Sequence, residues 1–276
     1  MELAYYGDYA QAEQLHWWFT ARRKILGSLI ESVLEPSERR IILEVGTGTG
    51  AMGQMLSRYG RYIGLDASWT ALEHARTKLK HLVTGRLEAL PFPAQSFDAV
   101  FACDVIEHLE DDRIALSELR RVCTAQGKLF VTVPAFQGLW SNHDVVNHHY
   151  RRYTKARLAA ALEESQWQIE KLSYFNALLF LPIAGLRLAM KRRVHSRGEP
   201  PRSDFAWRVP LAVNALLEKI FASERYLLRW GDLPFGVSLV AIATPHGREG
   251  SLKRTIARPW AIANRWTRHS PGTAHG

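Results

Sequence analysis

Residues 41–50 read IILEVGTGTG. Apolar, mostly β-branched residues lead to the acid Glu44, and alternating glycines follow. Such a run is typical of a buried parallel strand, and the glycines are typical of a turn that leads into a helix. Glycine permits a positive φ and lets a ligand approach where a Cβ atom would block it. The stretch therefore predicts a ligand site of the nucleotide type at the tip of a strand.

Two kinds of ligand fit this turn. With Ala51 in the last place, the turn satisfies G-x-G-x-x-G/A, the fingerprint of dinucleotide sites. Glu44 favours the other kind, because a carboxylate at the strand tip can meet a cationic amine and would repel a pyrophosphate. S-adenosylmethionine (SAM) carries an ammonium and a sulfonium, so the acid favours SAM. A strand and turn with no ligand is the remaining interpretation.

Two further segments follow the same plan. Residues 62–68 read YIGLDAS and place Asp66 at a strand tip, where a carboxylate can accept both ribose hydroxyls. Residues 97–109 read FDAVFACDVIEHL, a strand and the start of a helix. In order and spacing, these segments resemble the class I SAM-dependent methyltransferases of the type 11/12 group over about residues 13–175. The resemblance implies an α/β fold, with a Rossmann-like, mostly parallel seven-stranded sheet covered by helices on both faces.

The resemblance also implies which residues bind SAM, in the turn after the first strand and after three later segments. One position departs from the family pattern: many relatives have an acid that holds the adenine amino group where this chain has Arg86. An arginine cannot accept that hydrogen bond, so backbone groups or Glu88 are expected to recognise adenine. The expected cofactor-binding residues are Glu44, Gly46, Thr47, Gly48, Gly50, Asp66, Ala67, Leu87, Glu88 and Cys103.

Composition restricts the class of protein. The 276 residues have a formal net charge of +9, which favours anionic partners, although part of the excess lies near the C-terminus. Two cysteines without a C-x-x-C motif exclude a disulfide scaffold, and the N-terminal residues lack the pattern of a signal peptide. We therefore expect a cytoplasmic protein, with a location at the inner face of the membrane as the further option.

The domain organisation predicted is one methyltransferase domain over residues 1–246 and a basic, flexible tail over 247–276. A helix over residues 9–34 is expected to cover the cofactor, or simply to pack on the sheet, with the aromatic cluster 16–19 at its start. A helical insertion over residues 176–235 is predicted between the last two strands, because about sixty residues there exceed an ordinary loop.

The first helix of this insertion presents one apolar side, followed by Lys191, Arg192 and Arg193. It is too short to span a membrane, which takes about 20 apolar residues. An apolar side with flanking basic residues is typical of a helix lying on a membrane surface. Packing as a soluble lid, or against a second subunit, is the equal alternative. The apolar side comprises Leu179, Ile183, Leu186 and Met190.

The segment D-x-x-E-H, from Asp104 to His108, follows the fourth strand. On a helical first turn, positions i, i+3 and i+4 share a face, so two carboxylates and an imidazole would converge. The segment resembles the E-x-x-E-H metal site of methyltransferases that act on polyprenyl quinone precursors or on small-RNA 3′ ends. That resemblance implies a divalent metal held by Asp104, Glu107, His108 and His149. The alternative is a pocket without metal, in which Glu107 caps backbone groups.

The leading functional hypothesis is a SAM-dependent methyltransferase acting on an oxygen or nitrogen of a small or lipid-linked acceptor. His108, His143 and His149 are the candidate catalytic residues, because a loop imidazole can act as a base. Peripheral association with an anionic membrane is an expected partner property. The alternatives are an RNA methyltransferase, disfavoured since no RNA module or stacking platform is evident, a NAD-dependent oxidoreductase, and a non-catalytic cofactor-binding protein.

Overall fold

The computed structural model describes residues 6–197 and 209–247, with side chains from 10 to 189 and from 209 to 247. Its seven strands form one sheet. They are β1 (Ile41–Val45), β2 (Arg61–Asp66), β3 (Leu82–Thr84), β4 (Phe97–Cys103), β5 (Cys123–Pro134), β6 (Trp167–Phe175) and β7 (Ser238–Pro245).

The helices lie between the strands, as the alternating pattern predicts. They are α1 (Tyr6–Leu15), α2 (Trp17–Glu31), α3 (Gly53–Leu56), α4 (Trp69–Ala75), α5 (Asp112–Val122), α6 (Asn142–Val146), α7 (Lys155–Glu164), α8 (Phe180–Arg197) and α9 (Leu211–Trp230). The predicted helical insertion is present, since α8 and α9 connect β6 to β7. The predicted tail, from residue 248 onward, lies outside the described residues.

The sheet order is β3-β2-β1-β4-β5-β7-β6. The first five strands run parallel, and β7 runs antiparallel to both β5 and β6. Consequently β6 ends, and β7 begins, at the edge where β1, β2, β4 and β5 end. Ligands of open α/β sheets bind beyond this carboxyl edge. The predicted fold class is confirmed.

Both faces of the sheet are buried, which explains the nearly continuous apolar runs of the central strands. On one face, Leu43 of β1 belongs to a core with Leu116 of α5. On the other face, Ile42 belongs to a core with Ile25 of α2 and Phe221 of α9. The insertion therefore contributes α9 to the main core and is part of the folded body.

The prediction of a single helix over residues 9–34 is wrong, because His16 separates α1 from α2. His16 is extended (φ −74°, ψ 133°), and its imidazole accepts a hydrogen bond from the Trp18 backbone, which starts α2. The side chain of Asn214, on α9, forms hydrogen bonds with the backbone on both sides of this break. Its carboxamide accepts from the Trp17 N–H (2.9 Å) and donates to the Leu15 carbonyl (3.0 Å). A residue about 200 positions away thus ends α1, which local periodicity cannot reveal.

Within the described residues, no helix is both long and apolar enough to cross a membrane.

Candidate active site

A cavity of about 830 Å³ runs along the carboxyl edge of the sheet. It begins at Asp66, after β2, and passes Glu44 and Cys103 at the ends of β1 and β4. It then reaches Pro134 of β5 and Asn176 after β6. One continuous space therefore joins the predicted cofactor residues to the insertion.

The glycine turn shapes the first part of this cavity. Gly46 has φ +71°, and a Cβ atom there would lie 2.5 Å from Cγ2 of Val105, so only glycine fits without a shift. Gly48 has φ +55°, and the nearest protein atom to a Cβ there, on Glu13, lies 4.0 Å away. Gly46 thus permits close packing against the loop after β4, whereas Gly48 leaves room beside the turn for a ligand. Gly50 also has a positive φ, of +85°.

Glu44 lies wholly inside the protein at the tip of β1. Its carboxylate accepts hydrogen bonds from Thr47 Oγ1 (3.0 Å) and from the Tyr62 hydroxyl (2.5 Å). Burial raises the pKa of Glu44 to about 8, although these two hydrogen bonds oppose the rise. The side chain therefore keeps a proton near neutral pH until a cation adjoins it. The Thr47 hydroxyl is held by Glu44 and also forms a hydrogen bond with the Tyr62 hydroxyl.

Asp66 ties the tip of β2 to the glycine turn. Its carboxylate accepts from the backbone N–H of Gly48 (2.8 Å) and of Ser68 (2.8 Å). Ala67 and Leu87 line the cavity beside it. These contacts place the Asp66 carboxylate beside the opening at Gly48, where ribose hydroxyls can reach it.

The remaining predicted cofactor residues lie around this pocket. Glu88 lines the cavity, and its carboxylate forms an ion pair with exposed Arg86 (2.6 Å). Burial raises the pKa of the Cys103 thiol to about 12, so Cys103 supplies a neutral wall.

Sequence reasoning missed Glu13 of α1. The carboxylate of Glu13 accepts a hydrogen bond from the Thr49 hydroxyl, and Arg23 donates to the Glu13 carbonyl (2.5 Å). Burial raises the pKa of Glu13. This contact brings α1 to the glycine turn and adds a second acid to the cofactor end. An isolated acid in a helix has no sequence signal that would have found it.

Three of the four residues of the aromatic cluster 16–19 reach the same end of the cavity, and Trp17 also packs in the core against Phe221. His16, Trp17 and Trp18 all line the cavity. Arg22 is buried there. Its guanidinium forms an ion pair with Asp104 (2.5 Å) and donates a hydrogen bond to the Thr132 hydroxyl (2.8 Å). Arg22 therefore neutralises Asp104 at the centre of the cavity.

The prediction that Asp104, Glu107 and His108 share one face of a helix is wrong. Asp104 has φ +57° and precedes a short 3-10 turn over Ile106–His108, so it points to Arg22 instead. In the described part of the chain, the possible ligand atoms of Glu107, His108 and His149 lie within 4.8 Å of one another. The structure thus brings together three of the four predicted metal ligands.

Glu107 is fully buried, and neither carboxylate oxygen has a hydrogen-bond partner. Burial raises the pKa of Glu107 well above its ordinary value, and the Asp104 carboxylate adds to this. Desolvation lowers the pKa of His108 to about 3, so its imidazole is neutral. No hydrogen bond from the Glu107 carboxylate to a backbone group supports the alternative role of this residue as a cap.

His149 is oriented by a buried acid. Its Nδ1 lies 2.9 Å from Asp144 Oδ1, and Arg152 donates two hydrogen bonds of 2.8 Å to the same carboxylate. Burial alone would raise the pKa of Asp144, but His149 and Arg152 outweigh it and hold that pKa well below its ordinary value. This contact engages Nδ1 and leaves Nε2 as the atom of His149 that can bind a metal or accept a proton. His143 lines the cavity nearby, 5.9 Å from His149 between ring centroids.

The far end of the cavity is apolar, and the start of α8 forms part of its wall. Leu179 is buried, with 6% of its surface exposed, and Ile183 and Leu186 line the cavity. The side chain of Met190 lies outside the described residues. Of the side predicted to be apolar, Leu179 and Ile183 therefore face the interior, whereas Leu186 lines the cavity and is also exposed to solvent. We call this end the acceptor chamber; its apolar lining residues are Leu179, Pro182, Ile183, Leu186, Val209 and Leu217.

Comparisons with known proteins agree with this geometry. Residues 43–131 match the family model described as a methyltransferase domain. A demethylmenaquinone methyltransferase of Thermotoga maritima is 33% identical over 108 residues, which cover 37% of this chain and 47% of that protein. A probable S-adenosylmethionine-dependent methyltransferase of Mycolicibacterium smegmatis is 31% identical over 139 residues, covering 48% of this chain and 53% of that one. The chain spans about half the length of each relative.

Solved structures show the same fold at low identity. A putative methyltransferase in complex with the Trm112 activator of Haloferax volcanii has a TM-score of 0.57 and 17% identity, covering 89% of this chain and 97% of that one. A possible histamine N-methyltransferase of Thermotoga maritima has a TM-score of 0.54 and 16% identity, covering 88% and 97%. Residues 43–131 therefore match a methyltransferase domain, and the chain shares the Rossmann-like fold of these methyltransferase structures.

Proposed function

We propose that the protein transfers the methyl group of SAM to an oxygen or nitrogen atom of an acceptor with an apolar part, and that this acceptor is lipid-linked. The observation that carries the proposal is the single cavity that joins Glu44 and Asp66 to the acceptor chamber. Methyl transfer is an in-line displacement, so an enzyme must mainly align the two reactants and exclude water. A continuous cavity with an apolar far end supports both tasks.

The cofactor end supplies the charges that SAM needs. We assign Glu44 to the ammonium group of SAM; Glu44 loses its proton on binding and forms a buried ion pair with this group. We assign Asp66 to the ribose, whose hydroxyls donate hydrogen bonds to its carboxylate. Glu88 and backbone groups of the loop after β3 are the proposed adenine contacts.

The first experiment is calorimetric titration of the protein with SAM, S-adenosylhomocysteine (SAH) and NAD⁺. We expect the first two to bind and NAD⁺ not to bind. Replacing Glu44 with Ala removes hydrogen bonds to a charged group and should weaken SAM binding by roughly 1.5–3 kcal/mol, about 10- to 150-fold. Tight binding of NAD⁺, or unchanged SAM affinity in Glu44→Ala, would overturn the cofactor assignment.

The group Glu107, His108 and His149 supports a divalent-metal site. The residues fit, because a fully buried carboxylate without a hydrogen-bond partner lies beside two imidazoles, one of them oriented by Asp144. A bound cation would lower the pKa of an acceptor hydroxyl. Imidazole ligands favour a transition metal over Mg²⁺. In the metal-free alternative, His149 Nε2 or His143 accepts the proton of the acceptor; the lowered pKa of His108 makes it a poor base and leaves it the role of lining the pocket.

Titration with Mn²⁺ or Zn²⁺ and elemental analysis test this site without an activity assay. We expect one equivalent to bind the wild type, and Glu107→Gln to lose it while keeping SAH binding. Exposed Glu110, three residues further on, provides the matched control Glu110→Gln. Absence of any bound metal in the wild type would leave the imidazoles as bases only.

The surface around the acceptor chamber supports access from an anionic bilayer. Leu186 lines the chamber and is also 61% exposed, so it lies at the mouth. Leu181 and Leu211, on α8 and at the start of α9, are 77% and 89% exposed. Helix α8 continues through Lys191, Arg192 and Arg193, and basic residues near an anionic surface contribute about 1 kcal/mol each. Exposed apolar residues near the chamber, with a basic helix end, favour a bilayer as the partner.

Co-sedimentation with vesicles of phosphatidylglycerol and phosphatidylcholine tests this surface. We expect the wild type to sediment at low salt and the double variant Leu181→Glu, Leu211→Glu to stay in solution with unchanged SAH affinity. Val33→Glu, Ile114→Glu is the matched control, because both residues are exposed apolar side chains on other helices or loops. If the wild type stays in the supernatant, the bilayer proposal is wrong, and the exposed apolar residues would instead contact another protein or a second copy of this chain.

A further inference from the structure

Asn176, directly after β6, is a buried residue whose side-chain carboxamide has no hydrogen bonds. Its exposed surface is zero, and neither Nδ2 nor Oδ1 has a partner. Most buried polar side chains in folded proteins are hydrogen-bonded, so an unpaired carboxamide requires an explanation. Asn176 lines the cavity. Among the described residues, Asn176 and Glu107 are the two whose side chains have both terminal polar atoms buried and without a hydrogen-bond partner.

The position of Asn176 is held from both sides. Glu224 of α9, itself fully buried, accepts hydrogen bonds from the backbone N–H groups of Asn176 (2.6 Å) and Leu178 (2.8 Å). The Asn176 carbonyl accepts from the Val237 N–H (3.2 Å). The unpaired carboxamide therefore belongs to a fixed part of the wall.

The sheet order places Asn176 at the end of the cavity opposite the cofactor. Three strand spacings separate β4, which carries the Glu107 group, from β6, a distance of roughly 14 Å. The wall near Asn176 is apolar, since Leu179 and Val237 line it, with Ser238 as a buried polar neighbour. A group that binds Asn176 must therefore belong to an elongated acceptor whose reacting atom lies near β4.

We infer that Asn176 is a specificity-determining residue for the acceptor and recognises a polar group that presents a hydrogen-bond donor and an acceptor side by side. Such groups are carboxamides, lactams and hydroxyls next to a carbonyl. The carboxamide of Asn176 offers the complementary pair, one acceptor oxygen and N–H donors. This inference rests on the proposed function, because it describes the acceptor of the same methyl transfer.

The backbone gives asparagine a second reason to occupy this position. Asn176 has φ +59°, and asparagine enters this region more readily than most residues. The two roles can be separated, because glycine adopts the same φ without a carboxamide. Asn176→Gly therefore keeps the turn and removes only the recognition group. Exposed Gln166 has φ +62° and gives the matched control Gln166→Gly.

The experiment measures binding of decanamide and of methyl decanoate to the full chain saturated with SAH, by calorimetry and by intrinsic tryptophan fluorescence. Decanamide offers a donor and an acceptor, whereas methyl decanoate offers acceptors only. A site built to hydrogen-bond a donor rejects an analogue that lacks it. We expect the wild type and Gln166→Gly to prefer decanamide by about tenfold or more, and Asn176→Gly to bind both probes equally.

The outcomes separate this inference from the proposed function. If SAH does not bind the wild type, the proposed function fails and the inference fails with it. If SAH binds but the wild type does not prefer decanamide, or does not bind it, the inference alone is wrong. Preference retained in Asn176→Gly would show that asparagine serves the backbone only.

Discussion

Glu44 should make SAM binding depend on pH in a way that one substitution abolishes. In the ligand-free protein, burial raises the pKa of Glu44 to about 8. An ammonium group beside this carboxylate favours the ionised form, so binding requires Glu44 to lose its proton. At pH 7 that step costs about 1.4 kcal/mol, and at pH 6 about 2.7 kcal/mol. The cost nearly disappears above pH 8.

The resulting change in affinity is large. Only about 1% of Glu44 is ionised at pH 6 and about 50% at pH 8, so this residue should strengthen SAM binding about 50-fold over that interval. An α-amino group of the ligand itself titrates near pH 8. The variant Glu44→Gln shares that ligand effect but has no carboxylate. The ratio of wild-type to variant affinity therefore isolates the contribution of Glu44.

Calorimetry at pH 6, 7 and 8, in buffers with different enthalpies of ionisation, measures both the affinity and the protons released. We expect the wild type to release nearly one proton more than Glu44→Gln at pH 6 and 7. Equal pH profiles and equal proton release in the two proteins would refute the role of Glu44.

The same raised pKa makes a separate prediction for stability. Between pH 4.5, the ordinary value, and about 8, the folded protein binds a proton at Glu44 and the unfolded chain does not. The contribution of Glu44 to the free energy of unfolding is therefore fully present below about pH 4.5 and is lost as the pH rises through 8. Thermal unfolding of the ligand-free wild type, relative to Glu44→Gln, should show this decline.

Three further substitutions test other parts of the site. Arg152→Met leaves the buried Asp144 carboxylate without its cation and should lower the free energy of unfolding by about 3–5 kcal/mol in urea denaturation; a loss below 1 kcal/mol would contradict the packing described. Gly46→Ala places a methyl group against Val105 in a strained backbone region, and we expect SAH affinity to fall at least tenfold; unchanged calorimetric affinity would mean that the turn can shift. Glu224→Ala removes the acceptor of two backbone N–H groups and should cost roughly 1–3 kcal/mol of stability, which thermal unfolding measures.

The fold and much of the cofactor end could be predicted from the sequence because their signals are local. The strand over residues 41–45, its terminal acid and the glycines lie in one continuous stretch, and each requirement is met by a residue next to the one before it. Asp66 follows the same pattern one strand later. The sheet then brings these tips together, because parallel strands end at one edge.

The acceptor end depended on contacts between distant residues. Periodicity predicted an apolar side for the first helix of the insertion, but periodicity cannot state whether such a side faces a bilayer or the interior. Glu224 fixes Asn176 from 48 positions away, Asn214 breaks the N-terminal helix, and Arg22 draws Asp104 away from Glu107. A local pattern records which residues share a face, whereas packing decides what that face meets. For this reason the residues proposed to bind SAM could be predicted from the sequence, whereas the shape and the polar groups of the acceptor chamber follow from packing between distant residues.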